Sequence, residues 1–168
     1  MRPVKGTYPT YLENYISQAH GSNLHEALTA STQELLKTLS SIANDKGDFA
    51  YADGKWTIKE LLIHISDSER IFAYRLLRFV RGDEQQPLPF EEDDYAKNCN
   101  ANKRSLKSVI EELIAVRNAT VALIESLQEE DLNKTGKTAI GTITVNALGF
   151  AICGHCAHHL KVLRERYL

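Results

Sequence analysis

Thr144-Val145-Asn146-Ala147-Leu148-Gly149-Phe150-Ala151-Ile152-Cys153-Gly154-His155-Cys156-Ala157-His158-His159-Leu160-Lys161-Val162 reads as one long helix facing a bundle interior. Leu148, Ile152, His155, His159 and Val162 recur at alternating spacings of four and three, the seam of a helix buried along one stripe. Thr144 is a candidate N-cap. Two histidines therefore stand where apolar residues are expected. His155 and His159 share one face, one turn apart, and two neutral imidazoles so placed can address one divalent ion. An imidazole buried without a partner costs about 2 kcal/mol. A shared metal removes that cost, and so does a satisfied hydrogen bond in an ordinary core. A third ligand has to come from another element, and His64 is the candidate.

Three further segments carry helical periodicity. Asn23 to Ala43 places Leu24, Leu28, Leu35, Leu39 and Ile42 on one stripe, with Asn23 and Glu26 as its N-terminal signal. A shorter helical turn is expected around Tyr11 to Ala19. Thr57 followed by Glu60 forms a capping box, and Trp56 with Leu61 fits a hydrophobic staple. That helix runs to about Val80, where Gly82 stops it, and carries Ile58, Leu61, Leu62, Ile65, Phe72, Leu76 and Phe79. His64 lies at the edge of this face. Lys103 to Leu127 gives the remaining stripe. The pattern predicts a single all-α domain over residues 1–168, a four-helix bundle.

Thr138 to Thr144 is rich in β-branched residues but is short and lacks an evident partner. The connection from Gly82 to Asn102, about twenty residues with Pro87 and Pro89, is too long for a tight return and implies a crossover or a lid. Its acidic run, within residues 83–94, reads as a solvated loop.

Composition narrows the function classes. The chain has 168 residues, 43% hydrophobic and 25% charged, which suits one domain with a core. A net charge of −2 gives no broad electrostatic footprint for nucleic acid. No stretch is apolar enough to span a bilayer, and the N-terminal residues do not form a secretory signal. Three cysteines do not make a disulfide framework, so a cytoplasmic location is expected.

Other residues carry weaker signals. His158 points about 100° away from the His155–His159 row and is expected at a rim. Cys153-Gly154-His155-Cys156 matches a redox string, but it falls inside an apolar helix with no βαβ pattern around it. Two core cysteines are the simpler reading, with Cys156 as a supplementary ligand the other. Asp67 and Glu60 each stand within a turn of His64 and could orient a liganding imidazole or hold a water. Asp67 is the candidate catalytic residue. Arg70, Arg75, Arg78 and Arg81 line one helix, and one of them could hold an anionic substrate.

Lys55-Trp56-Thr57-Ile58-Lys59-Glu60-Leu61-Leu62-Ile63-His64, then Asp67 and Arg75, then Gly154-His155-Cys156-Ala157-His158-His159 resemble the DinB-like (DinB/YfiT) superfamily of metal-dependent enzymes. The resemblance implies an up-down-down-up bundle with a long connection between helices two and three, often a homodimer. It implies a divalent metal on His64, His155 and His159, with nickel or zinc foremost and iron or manganese as others. Relatives include low-molecular-weight thiol S-transferases and a thiol-dependent maleylpyruvate isomerase. The activity so implied is thiol S-transfer, or hydrolysis of a small electrophile, through a metal-bound thiolate or water, with a low-molecular-weight thiol as possible co-substrate. Cys156 departs from the family pattern, where a polar residue is more usual. The competing readings are a non-catalytic metal-binding stress-response protein and a structural helical dimerisation module. The expected partner is a small-molecule substrate, with neither nucleic acid nor membrane.

Overall fold

The computed structural model describes residues 1–168. In chain order its helices are α1 (Glu13–Ile16), α2 (Leu24–Ser40), α3 (Ile58–Val80), α4 (Glu92–Asn98), α5 (Leu106–Glu125) and α6 (Val145–Arg166). An antiparallel hairpin, β1 (Thr135–Thr138) and β2 (Gly141–Thr144), precedes α6. The four long helices form the bundle, and each starts at a polar cap. Asn23 Oδ1 accepts from the Glu26 amide at 2.9 Å. Thr57 Oγ1 accepts from the Glu60 amide at 3.2 Å, while the Glu60 carboxylate accepts from the Thr57 amide at 2.7 Å. Ser105 and Thr144 accept from the Ser108 and Ala147 amides, each at 3.2 Å. These bonds satisfy amides that a helix start otherwise leaves free.

Cross-links between helices give their directions. Ser31 Oγ reaches the Cys153 carbonyl and Arg164 reaches Thr38, so α2 and α6 run parallel. His64 meets His155 and His159, and Tyr167 donates to the Trp56 carbonyl, so α3 runs against α6. Lys59 reaches the Arg104 carbonyl and Glu69 pairs with Arg117, so α3 and α5 are parallel. The order is up-down-down-up. Two consecutive parallel helices need a connection as long as a helix, about 35 Å for the length of α3, which is what the long segment before α5 supplies.

Some boundaries differ from the periodic pattern. The first long helix ends at Ser40, leaving Ile42 buried but outside it. Lys103 belongs to a 3-10 turn, Ala101–Lys103, because Ser105 caps α5 two residues later. Thr138 to Thr144 does have a strand partner: Thr135–Thr138 folds back on Gly141–Thr144 around Ala139-Ile140. The acidic run is a loop only in part. Glu92, Asp93 and Asp94 form the first turn of α4, where carboxylates favour the helix N-terminus. No helix is long and apolar enough to cross a membrane.

The core has two apolar halves. One gathers Leu24, Leu28, Leu76, Phe79, Leu148 and Ile152; the other gathers Leu35, Leu39, Ile58, Leu62, Leu113 and Leu160. Between them lies a polar layer at mid-height of the bundle, made by Ser31, Glu69, Arg117, His64 and His155, all buried.

Candidate metal centre

His64 comes from α3, and His155 and His159 come from adjacent turns of α6. The Nε2 atom of His64 lies 3.2 Å from that of His155 and 3.1 Å from that of His159, and the last two are 3.2 Å apart. The three form the protein's cluster of potential ligand atoms. His64 and His155 are buried and His159 is half-buried.

Aromatic rings fix the imidazoles from outside. Trp56 lies over His64 with ring centres 4.7 Å apart. Tyr15 and Phe72 flank His155 at 5.3 and 5.6 Å. Tyr15 reaches this position because α1 packs on Gly154, where a Cβ would stand 1.8 Å from the Tyr15 carbonyl oxygen. Arg2 holds the end of this segment by donating to the carbonyls of Ile16, Ala19 and Gly21.

Burial keeps the imidazoles neutral. It pulls His64 down to about 4, against an opposing pull from the Asp93 carboxylate. It pulls His159 down to about 3, helped by His64 and His158, and holds His155 well below the ordinary histidine range. A neutral ring nitrogen is either a donor or an acceptor. Around a triangle of three such nitrogens, at most two edges can join unlike kinds, and the nitrogen they share has one N–H or one lone pair for both, so hydrogen bonding cannot satisfy all three contacts: one edge always sets like against like. An ion about 2.1 Å from each nitrogen can, and ligands of one ion sit at about this mutual spacing. The donor set suits a divalent metal ion.

Two cavities flank the cluster. One, of about 300 Å³, is lined by Tyr11, Tyr15, Ser68, Phe72, Arg75 and His155, and is covered by Pro87, Pro89 and Phe90 and by the hairpin turn. The other, of about 390 Å³, is lined by Trp56, Asp93, His158, His159 and Tyr167 among others.

The remaining sequence candidates are dispersed. Asp67 is half-buried and pairs with Arg70 at 3.2 Å; burial raises its pKa, and it makes no hydrogen bond to the histidines. The Glu60 carboxylate is engaged in the capping box. His158 sits at the rim, 3.4 Å from Gln18. Cys153 and Cys156 are fully buried free thiols. Cys156, the other ligand candidate, lies outside the histidine cluster: it faces Arg117 and Ser31, and burial raises its pKa.

Residues 27–163 match the DinB superfamily. The chain belongs to the DinB superfamily. Among relatives of this superfamily member is a protein of Oceanobacillus iheyensis named "putative metal-dependent hydrolase", 28% identical over 79% of this chain and 77% of that one. YfiT from Bacillus subtilis, described as a probable metal-dependent hydrolase with an unusual four-helix bundle topology, superposes with a TM-score of 0.73. It is 16% identical, with 98% of this chain and 90% of that chain covered. A mycothiol-dependent maleylpyruvate isomerase shares the fold at a TM-score of 0.64 and 12% identity, over 93% of this chain and 60% of that one.

Sequence reasoning passed over Asp93 and the aromatic frame. Asp93 lay hidden in an acidic run whose ordinary reading is a solvated loop, and nothing local signals that α4 turns it toward His64. Phe72 read as one more apolar residue of its stripe, and nothing in the short Tyr11 to Ala19 turn singled out Tyr15.

Proposed function

We propose that this DinB-superfamily chain is a metal-dependent enzyme acting on a small molecule, with the ion held by His64, His155 and His159. The observation that carries the reading is the buried triangle of Nε2 atoms, 3.1–3.2 Å on each side, which hydrogen bonding alone leaves unsatisfied. A divalent ion held by these three nitrogens would supply Lewis acidity for activating an oxygen or sulfur nucleophile near neutral pH. Hydrolysis of a small electrophile is the leading reaction class, in keeping with the names of the relatives.

The protein's own groups have separable tasks. Burial keeps the three imidazoles unprotonated and available as ligands. Trp56, Tyr15 and Phe72 fix the rings and exclude water around them. Asp93 lines the cavity on the His159 side, where its carboxylate opposes the downward pull of burial on the His64 pKa. The flanking cavities also favour a second reading, transfer of a low-molecular-weight thiol, because two reactants could approach the centre through separate openings.

Elemental analysis of untagged protein, beside a His159→Ala variant, tests the reading. About one zinc, nickel, iron or manganese per chain, lost in the variant, is the expected result and directs substrate screening to esters, amides and thiol-reactive electrophiles. Absence of metal from both, with none taken up on addition, would overturn it in favour of core histidines.

A further inference from the structure

The arginines of α3 are not equivalent. Arg70 pairs with Asp67 at 3.2 Å and with Glu112 at 2.6 Å. Arg78 pairs with Asp83 at 2.7 Å. Arg81 is exposed at the helix end. Arg75 is half-buried in the wall of the 300 Å³ cavity and has no carboxylate within 4 Å. Its Nη2 donates to the Leu88 carbonyl at 3.0 Å, its Nε has no partner, and Phe90 lies 5.9 Å from its guanidinium. A cation withdrawn from water without a counter-charge leaves solvation unreplaced, and an anion entering the cavity restores it.

A second unpartnered group lines the same cavity. Ser68 is 1% exposed, and its hydroxyl makes no hydrogen bond. His64, Ser68, Phe72 and Arg75 follow one another along α3 at spacings of four, four and three, a single stripe about 16 Å long. The stripe begins at the histidine cluster, passes a hydroxyl and an aromatic ring, and ends on the unpaired cation. Tyr11 and Tyr15 add two phenols, protonated at neutral pH and able to donate. The one acid in the lining is Glu92, exposed on the first turn of α4.

We propose that this cavity is the substrate subsite for a small carboxylic acid with an apolar body: Arg75 takes the carboxylate, Phe72 and Phe90 take the body, and the reactive carbon lies toward His155. A single arginine with phenol donors beside it, and with Glu92 nearby, suits a singly charged carboxylate better than a phosphate dianion. The inference rests on the metal-dependent reading for the reactive end only; the anion subsite is defined by Arg75 and its neighbours.

The test is calorimetric titration of the full-length, as-purified protein with 4-phenylbutyrate, 4-phenylbutyramide and phenyl phosphate, each repeated after chelation. The expected result is carboxylate binding at least about tenfold tighter than that of the amide or the phosphate. Arg75→Gln should abolish that preference, Arg75→Lys keep part of it, and chelation leave it in place. Glu92→Gln should tighten carboxylate binding. Near-ultraviolet circular dichroism checks that the variants fold, and Arg75→Lys carries the test if the glutamine variant does not. No carboxylate binding, equal affinity in Arg75→Gln, or binding that disappears on chelation would each overturn the subsite; the last would mean direct coordination to the ion. A protein that holds no metal as purified and takes none up on addition, yet binds the carboxylate through Arg75, would overturn the metal reading alone.

Discussion

His155 and His159 occupy seam positions that leucine would fill at lower cost in a protein without a ligand. Burial depresses the pKa of all three imidazoles, and the sign of the consequence is definite. The unfolded chain takes up protons near 6.5, whereas the folded chain does so only near 4 at His64 and near 3 at His159. The unfolded state therefore binds more protons between those values. Metal-free protein should be unaffected above pH 6.5 and lose stability steadily as pH falls toward 4, measured as the urea midpoint. A His155→Leu/His159→Leu double variant should show a flatter dependence and an equal or higher midpoint at pH 5. The same variant should stop responding to added metal, whereas the wild-type melting temperature should rise with metal concentration. An unchanged pH profile in the double variant would count against neutral buried imidazoles.

Elements place these residues. The 57–64 segment was legible because its cap and periodicity are local: Thr57 and Glu60 close on each other within one turn. Thr57→Ala should cost about 1 kcal/mol by denaturant titration without displacing His64. Gly154 matters for a different reason. Any Cβ there collides with the backbone of α1, 1.8 Å from the Tyr15 oxygen, and backbone does not yield as a flexible side chain does. Gly154→Ala should cost about 1–3 kcal/mol, expose the segment before α2 to proteolysis, and remove Tyr15 from His155. Cleavage within residues 1–23 under limiting protease, absent in the wild type, is the measurable sign. The hairpin was missed as an element because its two strands are four residues each, and neither shows alternation long enough to be read alone.

Across the whole molecule, the bundle is divided by its polar layer. Arg117 is 1% exposed and held on both carboxylate oxygens of Glu69 at 2.8 and 2.6 Å, with Ser31 at 3.0 Å. This network ties α2, α3 and α5 together beside α6. Glu69→Ala should cost about 3–5 kcal/mol, because it strands a buried cation. Glu69→Leu/Arg117→Met should recover most of that loss, since the cost lies in the unpaired charge. Thermal denaturation of the two variants distinguishes these effects; equal losses would show that packing rather than charge dominates.

The sequence by itself determined what is local. It set the four periodic stripes, the caps at Asn23, Thr57 and Thr144, and the two-histidine face of α6, because helical spacing and capping act within a few residues. The superfamily motif extended this to His64 and to the up-down-down-up order. Tertiary structure alone decided which polar groups meet. His64 and His155 are 91 residues apart, and Glu69 and Arg117 are 48 apart. It also decided that Asp67 spends its charge on Arg70, that Cys156 turns away from the histidines, and that Arg75 alone among the cavity groups keeps an unpaired cation. Each arginine of α3 has at least one carboxylate within two turns in sequence. Which of them comes within reach is set by how the helix faces pack, and packing is a property of the assembled bundle.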